Sequence, residues 1–188
     1  MSDADKNAAH EGSPPSAFFL EHASRLSATA SIGPTLDLAC GRGRHTLAAA
    51  HLGLSVLAID RNRDYVADLD DLTGGAGSIE TLCADLESGP LPPLEPASFG
   101  AVLVFRYLHR PLFPWIETLI APGGILLYET FTEKQRELGW GPVRDAFLLR
   151  SGELRNAFPE LVVEAYEEGP SNDTHSAYTA RLLASRPG

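Results

Sequence analysis

The chain has 188 residues, 44% of them apolar and 21% charged, enough for one domain with a real core and unlike a disordered, collagen-like or coiled-coil chain. Fifteen Lys and Arg against 25 Asp and Glu leave a net charge of −10, a poor balance for gripping a nucleic-acid backbone. Two cysteines are too few for a disulfide scaffold or a four-thiolate zinc site, and no apolar run approaches the roughly 18 residues of a membrane helix.

Residues 1–13 have no apolar period and none of the basic-then-apolar grading of a signal peptide. A solvated tail is expected there, followed by one domain over 14–188 in a reducing cytoplasm. Pro14 and Pro15 open a segment in which Phe18, Phe19, His22 and Leu26 share a helical face, closed by Gly33-Pro34. The chain then alternates. Strands are expected at Thr35–Cys40, Ser55–Asp60, Ser78–Ala84, Phe99–Phe105 and Ile125–Phe131. Helices fall at Thr46–Leu52, from Arg63 to Leu72 and from Leu112 to Ile120. The loop 87–97 holds four prolines and should be irregular, while Phe99–Phe105 is apolar enough to be buried on both faces. A short helix at Ser151–Phe158 precedes strands Leu161–Glu168 and Ala177–Ser185. The connection 169–176 between them is too short and turn-like for a helical crossover, so the pair is antiparallel. The pattern is an open, mostly parallel α/β sheet with one antiparallel strand.

In such a sheet ligands bind outside the carboxyl ends of the strands. Gly41 and Gly43 after the first strand allow backbone to pass close to a ligand just ahead of a helix, and Asp60, ending the second strand, is placed to accept from two ribose hydroxyls. A dinucleotide fingerprint would need a third glycine in G-x-G-x-x-G; neither register of Ala39-Cys40-Gly41-Arg42-Gly43 completes it. Asp37 inside the first strand suits a cationic ligand group better than a phosphate.

D-x-A-x-G-x-G at Asp37–Gly43, the acid ending strand two, Ala84-Asp85 after strand three and I-A-P-G-G before strand five resemble class I S-adenosylmethionine-dependent methyltransferases over nearly the whole chain. LDLACGRGRHT, RYLHRPLFP, GGILLYETF and FLLRSGEL are similar to a bacterial group of small methyltransferases akin to the tellurite-resistance enzymes. Ala39 stands where the fullest family motif has glycine. The resemblance implies a Rossmann-like seven-stranded sheet of order 3-2-1-4-5-7-6, the last strand antiparallel, with helices on both faces. It implies S-adenosyl-L-methionine as cofactor and methyl transfer to a small-molecule acceptor. Asp37, Ala39, Gly41 and Gly43 would line the methionine end; separately, the position of Arg44 just after strand one suits it to the cofactor carboxylate. Asp60 and Arg61 would meet the ribose, Ala84, Asp85 and Leu86 the adenine, and Phe105 and Arg106 the reacting methyl.

His109 and Arg106 are the catalytic candidates, although in-line transfer from a sulfonium depends mainly on positioning and need not use a base. Tyr107, Arg110, Glu129 and Phe131 are candidates for the acceptor pocket; ordinary packing for the two rings, and a buried ion pair for Glu129, are the plainer readings. His45, opening the helix after strand one, is read as structural. In the implied sheet order Cys40 and Cys83 lie about 9–10 Å apart, beyond disulfide reach, and are expected to be buried thiols. No metal-ligand spacing is present. Six of the thirteen arginines (42, 44, 61, 63, 106 and 110) fall just after strands one, two and four, suggesting a basic mouth on an acidic protein and an anionic acceptor. A non-catalytic cofactor-binding module and a nicotinamide-dependent oxidoreductase are the competing readings.

Overall fold

Two short helices, α1 (Ala17–Glu21) and α2 (Ala23–Ser27), carry the apolar face expected near the start of the chain, and Phe18, Phe19 and Leu26 are buried. The Ser16 hydroxyl caps α1 by accepting the Phe19 amide at 3.1 Å. There follow β1 (Thr35–Leu38), α3 (Arg44–His51), β2 (Val56–Asp60), α4 (Arg63–Asp70), β3 (Ile79–Cys83), β4 (Phe99–Phe105), α5 (Phe113–Leu119), β5 (Ile120–Phe131), β6 (Val162–Ser171) and β7 (Ala177–Ser185). This computed structural model describes residues 13–70, 77–171 and 176–188. All but Ser13 of the expected tail, the last two residues of the helix expected to reach Leu72, and most of the turn between the last two strands lie outside the described residues.

The strands form one sheet of order β3-β2-β1-β4-β5-β7-β6, and β7 alone runs antiparallel to its neighbours. Every residue of β1 and β4 is buried, as the apolar run of β4 requires of a strand covered on both faces. On one face Phe18, Phe19, Leu26 and the α3 alanines Ala49 and Ala50 pack on Leu103 and Leu127. On the other, Leu112, Ile116 and Leu119 pack on Val102, Leu126 and Tyr128. Among the described residues no helix is long and apolar enough to cross a membrane.

Three expectations are corrected. Strand β5 begins at Ile120 rather than Ile125, because Ile120 pairs with Phe99 and the Gly123 amide donates to Arg186 O at 2.9 Å, so Pro122-Gly123-Gly124 is an irregularity within the strand. The helix expected over Ser151–Phe158 is a single 3₁₀ turn, Leu154–Asn156. Gly152, at φ 71°, leaves the right-handed helical region at its start, and Pro159 closes it. Both cysteines are free, but Cys83 is exposed and Cys40 half-buried, since β3 is the edge of the sheet and its end is uncovered.

The start of β4 presses on the chain entering β1. The Gly100 amide donates to Pro34 O at 2.9 Å, and a Cβ on Gly100 would stand 2.6 Å from Thr29 O and 2.7 Å from Gly33 O. No side chain can yield there, because the neighbours are backbone. Gly100→Ala should therefore cost about 1–3 kcal/mol, like other overpacked sites, and lower Tm by about 2–4 °C per kcal/mol in calorimetry. An unchanged Tm would mean that the two backbones can separate.

Candidate functional site

Between the end of β1 at Leu38 and the start of α3 at Arg44 the chain reverses over the sheet edge. It does so with three left-handed residues, Ala39 at φ 54°, Gly41 at 58° and Gly43 at 78°. Glycine adopts this region freely, whereas for Ala39 it costs about 1–2 kcal/mol. At Gly43 a Cβ would lie 2.3 Å from Leu69 Cδ2, so α4 excludes any side chain there. Asp60, at the end of β2, holds the turn: its carboxylate accepts the Gly41 amide at 2.9 Å and the Asn62 amide at 2.8 Å.

Two cavities open at this edge, and Ala39 lines both. The first is walled by Asp37, Gly41, Arg44, His45, Phe105 and Arg106, with Cys40, Arg42 and Tyr65 completing it. The second is walled by Asp60, Arg61, Ala84, Asp85, Leu86 and Tyr107, with Glu87 at its side. Of the residues expected at a cofactor, Gly43 alone lines neither; it sits under the turn as the residue preceding α3.

Asp37 is 2% exposed, and its carboxylate accepts the Thr46 hydroxyl at 2.6 Å. Burial pushes its pKa up to about 7, against the opposing pull of Thr46 and the Arg44 charge. Burial, reinforced by Asp37 and Asp60, likewise pushes the Cys40 thiol up, which keeps it protonated and unreactive. His45 is 4% exposed, and its Nε2 accepts the Ser16 amide at 3.1 Å while its ring stacks on Phe105 at 3.7 Å. Burial, with Arg44 and Arg106 nearby, pushes its pKa well below the ordinary value, so the imidazole is neutral. Asp85 accepts the Glu87 amide and the Ser88 hydroxyl, both at 2.9 Å, and these bonds hold it below the usual carboxylate range.

Beyond Phe105 the chain turns through Arg106, after Ala39 and Ala97 the third non-glycine residue with positive φ among the described residues, at 59°. Its amide donates to Glu129 O at 2.8 Å, its guanidinium lies 3.5 Å from the buried Glu129 carboxylate, and Phe131 packs under that guanidinium at 4.5 Å. Trp140 meets Phe131 edge to face at 5.8 Å. Glu129 is thus the buried ion-pair partner that the plainer reading anticipated, and Phe131 supports Arg106.

The other candidates after β4 go elsewhere. Tyr107 turns into the second cavity, beside Asp85 and Leu86, rather than joining Arg106. His109 lines neither cavity; its carbonyl accepts the Leu112 amide at 3.0 Å at the start of the turn into α5. Arg110 is drawn away from the mouth altogether: it pairs bidentately with Glu153 and donates to the carbonyls of Asp145, Ala146 and Leu148. Five guanidinium N–H groups committed to a carboxylate and three carbonyls leave little for a ligand. Of the six arginines gathered after the strands, Arg42, Arg44, Arg61 and Arg106 line the cavities, whereas Arg63 and Arg110 do not.

Tyr65 was not singled out by the sequence. It reaches the first cavity from α4, and Arg42 lies over its ring at 4.5 Å and 3.7 Å from Asp68. Aromatic sequence on an amphipathic helix gives no sign of such a role; it arises because the turn at Gly43 approaches α4 at Leu69. Among the described residues no group of three or more His, Cys, Asp or Glu could hold a metal ion.

Residues 36–127, from the second residue of β1 into β5, match the family model of a methyltransferase domain. A search of curated proteins finds no match to the chain. Many solved structures share the fold. A putative S-adenosylmethionine-dependent methyltransferase from Listeria monocytogenes is 14% identical with a TM-score of 0.68, covering 92% of this chain and 99% of its own. An S-adenosylmethionine-dependent methyltransferase from Mesorhizobium loti is 19% identical at TM-score 0.63, over 87% and 96%. TehB from Haemophilus influenzae is 17% identical at TM-score 0.67, over 88% of this chain and 62% of its own. The residues at the strand ends fit the cofactor of such enzymes: a buried carboxylate awaiting a cation, a second carboxylate at the end of β2, and a left-handed turn that keeps side chains out of the space between them. Residues 36–127 thus match a methyltransferase domain, set in a sheet with the fold of solved S-adenosylmethionine-dependent methyltransferases.

Proposed function

We propose that the two cavities are the two ends of one cofactor site and that the protein transfers the methyl group to a small-molecule acceptor by in-line displacement. The observation carrying this reading is Asp37, a carboxyl held nearly out of water at the wall of the first cavity. A buried carboxylate requires a compensating charge, and the α-ammonium of a methionine moiety supplies one. Asp60, with lone pairs beyond the two that bind Gly41 and Asn62, takes the ribose hydroxyls; Arg61 flanks them. Ala84, Asp85 and Leu86 line the adenine end, Ala39 is the waist shared by both cavities with Gly41 beside it, and Gly43 supports the turn beneath.

The bound cofactor supplies an electrophilic methyl on a sulfonium. What the chain contributes is alignment and exclusion of water. Phe105 walls the methyl, and Arg106, held by Glu129 and Phe131, faces the acceptor side of the first cavity. No general base is assigned, because His109 lies off the cavities. Arg106 favours an acceptor bearing a carboxylate or other oxyanion. A panel of acceptors incubated with methyl-labelled cofactor should show carboxylates labelled ahead of their amide analogues, and Arg106→Ala should erase that preference; equal labelling removes the anionic reading.

Asp60→Ala, which deletes two charge-assisted bonds to ribose, should weaken binding of S-adenosylhomocysteine by about a hundredfold or more in calorimetry. Asp37 makes binding pH-dependent. Below its pKa the carboxyl must lose a proton before it can meet the ammonium, so affinity should fall about tenfold per pH unit below about 7 and be flat above. The stability sign is the reverse of the usual carboxylate. Ionisation begins at higher pH in the folded chain than in the unfolded one, so Asp37 costs stability as pH rises from about 4 to about 7. Asp37→Asn should therefore melt higher than wild type at pH 8 while losing both the affinity and its pH dependence.

A further inference from the structure

His45 is a buried side chain that the cofactor site leaves half explained. A backbone amide can only donate, so the Ser16 N–H at 3.1 Å requires a lone pair on Nε2. A neutral imidazole carries one proton, which must then sit on Nδ1. That N–H has no protein partner among the described residues, although the ring is 4% exposed and forms part of the wall of the first cavity. Nδ1 is not among the sealed polar atoms, so its N–H is open to the cavity that the ring lines, where a ligand acceptor can meet it. The next residue, Thr46, donates to Asp37, so the start of α3 sets a carboxylate acceptor and an imidazole donor at one cavity. An amino acid in zwitterionic form needs that combination: an acceptor for its ammonium and a donor for its carboxylate.

We propose that His45 binds the carboxylate at the amino-acid end of the cofactor through Nδ1–H, and that the Ser16 amide, by fixing the tautomer, makes the N-terminal segment a working part of the site. The proposal rests on the cofactor reading of the first cavity. The same segment is tied a second time, where Arg44 Nη1 donates to Pro14 O at 3.5 Å. Stacking on Phe105 at an interplanar angle of 23° holds the ring plane, so the donor direction is set before any ligand arrives.

The two ring nitrogens can be tested separately, because a glutamine amide reaches the position of Nε2 and an asparagine amide that of Nδ1. His45→Gln keeps an acceptor for Ser16 and loses the cavity donor; His45→Asn keeps a cavity donor and loses the acceptor. The probes are S-adenosylhomocysteine, which has the carboxylate, and methylthioadenosine, which has no amino-acid end. His45→Gln should weaken S-adenosylhomocysteine by about tenfold to a hundredfold and leave methylthioadenosine within about threefold, while His45→Asn, which keeps the cavity donor, should lose clearly less S-adenosylhomocysteine affinity than His45→Gln. Unchanged S-adenosylhomocysteine affinity in His45→Gln, equal loss for both ligands, or a loss in His45→Asn as large as in His45→Gln overturns the proposal. Should either variant fail to fold, ¹⁵N imidazole spectra of the wild type decide. Nδ1 must be the protonated nitrogen, and its signal must move with S-adenosylhomocysteine but not with methylthioadenosine; the opposite tautomer or an unmoved signal sinks it. If the wild type binds neither ligand, the cofactor reading itself falls and takes this proposal with it.

Discussion

The hydrogen bond from the Gly41 amide to Asp60 joins the ends of β1 and β2, and it can form only if the chain leaves β1 through left-handed backbone. That requirement organises the carboxyl edge of the sheet. It sets Gly43 against Leu69 of α4, where a side chain would be crowded as well as strained, and it borders the two cavities that meet at Ala39. Strain is concentrated at the same edge. Two of the three non-glycine residues with positive φ, Ala39 and Arg106, stand at the ends of adjacent strands, and both line the first cavity. Such strain persists only where surrounding structure holds it, here the wholly buried β1 and β4.

Burial acts on the charges in the same direction. Asp37, Glu129 and His45 are each nearly inaccessible, and each is placed at a cost that the fold meets elsewhere. Thr46 and Arg44 partly relieve Asp37, Arg106 faces Glu129, and His45 is kept neutral. A protein selected for stability alone would place apolar side chains at these positions. Two of the three, Asp37 and His45, instead wall the first cavity.

Most of the sheet was legible because its signals are local. The apolar runs of β4 and β7 coincide with the strands observed, Phe99–Phe105 and Ala177–Ser185, and Asp60 ends β2 as its position after an apolar run implies. The order of the strands was not read from periodicity; it came from the family resemblance. Most failures are long-range. Pro122-Gly123-Gly124 reads as a turn until Arg186, far along the chain, pairs with it. Cys83 reads as a buried strand-end thiol, although the implied order already made β3 an edge, and its end is uncovered. Arg110 reads as part of a basic mouth until Glu153, 43 residues on, claims it. Tyr65 carries no local mark at all. Within the site, the motif residues were visible as a group, whereas the direction each side chain takes after β4 depends on partners that no spacing reveals.

The Arg110 cluster has a further consequence. Its acceptors, Asp145, Ala146, Leu148 and Glu153, together with Glu129, Phe131 and Trp140, all lie past the stretch that matches the family model, which stops in β5. The stretch past the matched residues is therefore braced on the chain leaving β4 through Arg106 and Arg110, and on β6 and β7 as well. Insertions or exchanges in that stretch can accumulate without loosening the turn at Gly41–Gly43 or the bond to Asp60. The turn at Gly41–Gly43 is held by backbone that only a few residues can adopt, whereas the stretch past β5 is held largely by side-chain bonds.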